Sequence, residues 1–248
     1  MGALMLDKFL AGGLQYTGYI LEVGLFVLLL RVGQWKRLWG VSVYLVSLVA
    51  VDVVARPYFL HHYGLSSNPY GYCFWLTDVL LALEAFGLLC IFFRRACTKE
   101  MWHLLRLFLA AVFVLVAAIS CLYISHNYDG LLHNFIYTLE QNLFFTCLVL
   151  NTLLYVMLQY AGSSDEQLGL LVCGMGIQFA GPTAGLALVH ITSAPRLFDH
   201  VGPVCTLATL LIWIYALCRF PTPEEATYRA SGVRRGVPAL AGVGLRTD

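Results

Sequence analysis

Lysine is nearly missing from this chain. Lys8, Lys36 and Lys99 are the only three in 248 residues, and none falls inside a long apolar run. Charge of either sign is scarce, at 12% of residues, against roughly a quarter in an ordinary soluble domain. So few charges cannot cover a water-exposed surface, and a soluble fold is excluded. Metal-ligand patterns are missing as well. The eight cysteines are scattered, with no CxxC and no Cys/His ligand spacing, so neither a zinc site nor a disulfide scaffold is expected. Cysteine here acts as a small apolar residue. Cys73 and Cys121 fall near one membrane face and would pair only where their helices touch. No cofactor and no nucleic-acid partner is expected.

What is present is apolar length. Hydrophobic residues make up 60% of the chain, and one bilayer crossing needs about 20 of them in a row. Seven runs reach that scale, at about 14–30, 38–55, 74–93, 104–123, 135–155, 168–191 and 201–217. The expected fold class is all-α, a polytopic bundle of seven transmembrane helices over residues 1–220, with the lipid bilayer as its first partner. Residues 221–248 are rich in Pro, Gly and Arg without helical period and read as a disordered cytoplasmic tail. Asp7 interrupts the amino end, which is not expected to be a cleavable signal. Pro57 is expected to stop the second helix. Gly162 and a Ser164–Gln167 capping box are expected to break the chain between the fifth and sixth.

An odd number of crossings puts the two ends on opposite sides, and basic residues choose which. Eleven arginines and lysines, Arg31, Arg94, Arg95 and Arg219 among them, share one set of loops; Lys8, Arg56 and Arg196 occupy the other. The positive-inside rule then places the amino end outside and the carboxyl end in the cytoplasm.

The third run, YGYCFWLTDVLLALEAFGLLCIFFRR, carries this orientation by itself. Interfacial aromatics (Tyr70, Tyr72, Phe74, Trp75) open it and Arg94–Arg95 closes it. Between them stand two carboxylates, Asp78 and Glu84. A carboxylate in hydrocarbon costs several kcal/mol, so both must face protein or water. Six residues put Glu84 about 9 Å deeper than Asp78 and about 120° around the helix, off any shared narrow stripe. Asp52 and Arg56, four apart on the second helix, are spaced to pair on one face. Glu140 lies in the outer part of the fifth helix, Asn151 returns to nearly its face, and Gln178 and Glu22 sit midway along the sixth and first. The candidate ligand or proton site is therefore Asp52, Arg56, Asp78, Glu84 and Glu140. Hydrogen bonding between helices is the plainer role for any of them. Glu22 is the weaker candidate, because the first helix can face lipid or a partner.

The sixth run, LGLLVCGMGIQFAGPTAGLALVH, repeats small residues. Gly181 and Gly185 form a GxxxG pair, and Gly176, Ala180 and Ala184 recur every four. Such faces let backbones approach, so Gly176, Gly181 and Gly185 are expected to pack against neighbouring helices. Pro182 is expected to free a carbonyl. The histidines lie mostly in loops or at membrane ends (His61, His62, His126, His133, His190, His200), without ligand spacing on one helix face.

The aromatic–Trp–acid third helix ending in arginine, with the Gly-rich sixth helix, resembles a group of uncharacterised bacterial seven-helix membrane proteins. That resemblance implies a bacterial inner-membrane location and no particular activity. The topology is also rhodopsin-like, but the retinal lysine is missing from TLATLLIWIY of the seventh helix, so a Schiff-base pigment is rejected. The HxxxH of ceramidase-like and progestin-receptor-like hydrolases is missing too, as is a three-helix internal repeat of the SWEET kind. No nucleophile–base pair is visible, so an enzyme is not favoured. The expectation is a receptor-like or accessory module that senses a small-molecule ligand and acts through a separate cytoplasmic signalling partner. The competing one is a small-solute or proton transporter relaying through intramembrane carboxylates.

Overall fold

The structure, a computed structural model, describes residues 2–64, 67–124, 131–160, 165–191 and 201–220; at 2–11, 123–124, 131–134 and 186–191 only the backbone is described. The candidate tail, the Gly162 and Ser164 caps, and the side chains of His126, His133, His190 and His200 fall outside the described side chains.

Seven helices account for nearly all described residues, and no strand occurs among them. They are α1 (Gly2–Arg31), α2 (Trp39–Tyr63), α3 (Asn68–Ala96), α4 (Lys99–Ile124), α5 (Leu131–Tyr160), α6 (Glu166–Ile191) and α7 (Val201–Arg219). Each is long and apolar enough to cross a membrane, and the chain is a multi-pass membrane protein.

Six of the helices close a ring in the order α1, α2, α3, α5, α6, α7 and back to α1. The fourth is left outside, packed on α5 and, less extensively, on α3. Composition explains its place. Its body lacks charge from Leu107 to Leu122, and Leu104, Leu107 and Leu122 are each about 70% or more exposed. A face with no polar group to satisfy can be left to lipid. The ring helices bury their large side chains instead. Leu25, Leu29, Leu45, Leu89, Phe93, Leu154, Leu171 and Trp213 are at most 1% exposed.

The helices extend beyond the apolar runs at several ends, and local chemistry explains where they stop. Ser67 caps α3, its Oγ accepting from the Tyr70 N–H at 3.3 Å, and Pro69 fits the first turn because its missing N–H is not needed there. This cap starts α3 at Asn68 rather than at Phe74. At α6, where Ser164 lies outside the described residues, Asp165 caps the first turn. Its Oδ1 accepts from the Leu168 N–H at 3.1 Å, and Gln167 turns away to Gln34.

Pro57 does not stop α2. The helix widens to a π segment at Ala50–Ala55 and then runs to Tyr63. The Arg56 N–H reaches back five residues to the Val51 carbonyl. Widening the coil just ahead of a proline takes up its missing donor and its ring without breaking the rod. The stop is Gly64, at φ 77°, whose N–H bonds the Leu60 carbonyl at 3.0 Å. A positive φ there suits glycine as the residue that ends a helix.

One end of the bundle is tied by side chains that link the α1–α2 turn to α6 and to the end of α7, and α3 to the start of α6. Gln34 Nε2 donates to the Phe220 carbonyl at 2.6 Å, and Gln167 Nε2 donates to Gln34 Oε1 at 2.8 Å. Arg95 donates through Nε and Nη2 to Asp165 Oδ2, at 3.0 and 2.6 Å. Arg31, Arg94, Arg95 and Arg219 all stand at this end, called the arginine end below.

Candidate functional site

Arg56 is the centre of the polar side chains toward the opposite end. Its Nη1 donates to Asp52 Oδ1 at 2.9 Å, one turn back on α2. Its Nη2 donates to Asp78 Oδ1 across the gap to α3. Thr77 Oγ1 accepts from Nε and Nη2, both at 3.4 Å, and itself donates to the Phe74 carbonyl. The guanidinium lies 4.5 Å over the Phe74 ring, a favourable place for a cation. The three charged side chains keep 21–23% of their surface exposed. A delocalised fork suits this task, because it can hold carboxylates from two helices at once.

The π segment positions the triad. Asp52 lies inside it and Arg56 immediately follows it. The extra residue in the coil shifts everything beyond it around the axis. Short π segments recur where a helix must aim a functional side chain.

The other candidate carboxylates join this cluster unequally. Glu140 on α5 is half-buried with no ion pair among the described residues; Asp78 and Arg56 are the charges that act on it. Glu84 is held apart. Its Oε1 accepts from Ser47 Oγ on α2 at 2.8 Å, while its Oε2 is buried without a hydrogen-bond partner. The sequence candidates thus form an Arg56 triad with Glu140 in electrostatic reach, and a separate Ser47–Glu84 contact nearer the arginine end.

The weaker candidate of the sequence, Glu22, is buried in the bundle as well. Glu22 is 2% exposed, and its Oε2 is buried without a partner. Asp52 and Arg56 are the charged groups that act on it. Leu25 and Leu29, three and seven residues on, are fully buried, so α1 presents this stripe to the bundle and not to lipid.

The small residues of α6 serve several neighbours. A Cβ at Gly181 would come within 2.8 Å of Cys205 on α7. One at Gly176 would meet Asn151 Nδ2 of α5 at 2.8 Å, the same nitrogen that donates to the Val172 carbonyl at 3.1 Å. Around Gly185, by contrast, no described atom lies within 4 Å of the Cβ position. The tightest approach is at Gly174, which the spacing of four does not pick out. There a Cβ would lie 2.6 Å from Trp213 Nε1, whose hydrogen goes to the Leu171 carbonyl at 3.1 Å. Thr209 Oγ1 donates to the Gly174 carbonyl at 2.9 Å. Gly174 and Gly181, two turns apart, make the α6–α7 seam.

Cys73 and Cys121 are both free thiols. His62 stacks on Tyr58 at 5.7 Å on the exposed tip of α2. Among the described residues no three His, Cys, Asp or Glu side chains gather closely enough to hold a metal ion. No protein-family model, curated protein or solved structure matches this chain, so the site must be read from its own chemistry.

Proposed function

We propose that this bundle is a receptor-like or accessory module of the bacterial inner membrane, with its amino end outside and its carboxyl end in the cytoplasm. It binds a small molecule in its outer half and acts through a separate cytoplasmic partner. The observation that carries the reading is the Arg56 triad. It offers a cation and two carboxylates on adjacent helices, and each keeps about a fifth of its side-chain surface uncovered by the protein. Toward the arginine end the ring is filled by large apolar side chains, Leu29, Phe93, Leu171 and Trp213. Polar groups open at one side over a packed floor suit binding better than passage. A ligand that replaces the Arg56–Asp78 contact would alter how α2 sits on α3. That change of packing is the signal a partner could read.

The test is ligand-dependent stabilisation of the purified protein in lipid nanodiscs. A panel of small acids, amines and zwitterions is screened by thermal unfolding. At a hundredfold excess over Kd a true ligand adds about 2.7 kcal/mol. Arg56→Gln and Asp78→Asn should abolish that gain. A gain unaltered by both variants would remove the triad from the binding site.

The alternative reading, a small-solute or proton transporter, draws on Glu84. It lies deeper than the triad and has an oxygen without a partner. Flux into proteoliposomes that vanishes with Glu84→Gln would promote it over sensing.

A further inference from the structure

We infer that Glu22 is a proton-binding site of the bundle, carried as the neutral acid in this structure and coupled to the triad through Arg56. The inference rests on the proposed site only in sharing Arg56 with it.

Three observations lead there. Glu22 is the most buried acidic side chain among those described, at 2% exposure. Its Oε2 has no hydrogen-bond donor against it. Among the described residues the cation in electrostatic reach of it is Arg56, which is already occupied by Asp52, Asp78 and Thr77. An ionised carboxylate so placed would be a buried charge without a partner, which proteins avoid by taking up a proton. Oε2 is closed to a probe the size of water, so nothing larger than a proton can sit against that oxygen.

The surroundings agree. On α2, the charged groups in electrostatic reach of Glu22 are Asp52 and Arg56, and Tyr44 is in reach as well. On α1 itself there is Tyr19, whose hydroxyl accepts from Gln15 Nε2 at 2.5 Å. On α7, the other helix packed on α1, the titratable side chains are Cys205, Tyr215, Cys218 and Arg219. With Arg56 shared between Asp52 and Asp78, the cluster already carries one excess negative charge. Loss of the proton from Glu22 would make that two, and the added charge would draw Arg56 from Asp78 on α3 toward α1. Protonation of Glu22 therefore favours the α2–α3 contact seen here, and ionisation favours its release.

The test is infrared spectroscopy of the protein in lipid at neutral pH, in water and in deuterium oxide. The wild-type minus Glu22→Gln difference spectrum should contain a protonated carboxylic acid band that shifts in deuterium oxide. Replacing sodium by potassium at fixed pH should leave it unchanged. Glu22→Gln, a neutral isostere, should unfold at the same temperature as wild type or higher. A difference spectrum with only carboxylate bands, a band that responds to sodium, or a Glu22→Gln protein that is less stable or fails to fold would each overturn the inference. The ligand screen can fail with this band present, or succeed with it missing, so the two proposals fall separately.

Discussion

Arg56 on α2 and Asp78 on α3 are joined directly, guanidinium Nη2 to carboxylate Oδ1, across 22 residues of chain. Asp52 is also bound to Arg56, but from one turn away on the same helix. The two carboxylates therefore do different work. Asp52 orients the guanidinium locally, and Asp78 converts that orientation into a contact between helices.

Removal of each partner should separate these parts. Arg56→Gln leaves two half-buried carboxylates without their cation and should cost about 3 kcal/mol of stability. Asp78→Asn keeps one ion pair and should cost about 1–2 kcal/mol, between a surface pair and a buried one. The double variant should cost less than the sum, with a coupling of about 1 kcal/mol or more. Thermal unfolding in one detergent across the four proteins reads this out. Strict additivity would mean the contact contributes nothing beyond its separate parts.

At the α6–α7 seam, Gly174→Ala places a methyl 2.6 Å from Trp213 Nε1. Trp213 is 1% exposed and bonded to the Leu171 carbonyl, so it cannot step aside without losing that bond. The variant should lose about 1–3 kcal/mol. Gly87→Ala on α3 is the contrast, with nothing within 4 Å of the new methyl. There the better helix former should be neutral or add up to about 1 kcal/mol. Melting temperatures should fall for the first and hold or rise for the second. Equal effects would show that the seam has slack.

The arginine end offers a third measurement. Gln34 is 1% exposed and holds two hydrogen bonds that close the bundle, one to the Phe220 carbonyl and one from Gln167. Gln34→Ala strips partners from both and should cost about 2–3 kcal/mol, since each buried polar group left without a partner costs about 1–3. Gln167→Ala removes only the second bond and should cost about half as much. A larger loss for Gln167→Ala would reverse this order and place the anchor on α6.

The helix count, the grouping of basic residues and the Asp52–Arg56 pair were all legible in the sequence, because length, charge and a spacing of four are local properties. What was not legible shares one cause. In a helix apolar on every side, periodicity does not say which face turns inward. For that reason the sequence leaves Glu22 the weaker candidate; only packing shows that it shares a stripe with Leu25 and Leu29. Nothing local marks Gly174, because its partner, Trp213, lies 39 residues away on another helix, while GxxxG spacing points to Gly185, where no described atom lies within 4 Å of the Cβ position. Pro57 reads as a stop because a proline inside a helix usually breaks or kinks it, and no local signal marks a π segment that absorbs it. Asp78 and Glu84 were expected to diverge around α3, and their separate partners, Arg56 and Ser47, agree with that arithmetic.

The proposed orientation makes a prediction through thiol chemistry. Asn68, exposed at the start of α3, and Cys97, just past its end, lie at opposite ends of one helix. Two single-cysteine proteins suffice, one with Asn68→Cys and one retaining only the native Cys97. With the arginine end in the cytoplasm, a membrane-impermeant maleimide added to intact cells should label the first and not the second. After permeabilisation Cys97 should react, but slowly. Burial pushes its thiol above the usual range, so less of it is thiolate at neutral pH. Because the thiolate is the nucleophile, the rate should climb as the pH is raised, and the lag behind Asn68→Cys should narrow. Labelling of Cys97 from outside intact cells, with Asn68→Cys protected, would invert the bundle and move the Arg56 triad to the cytoplasmic half.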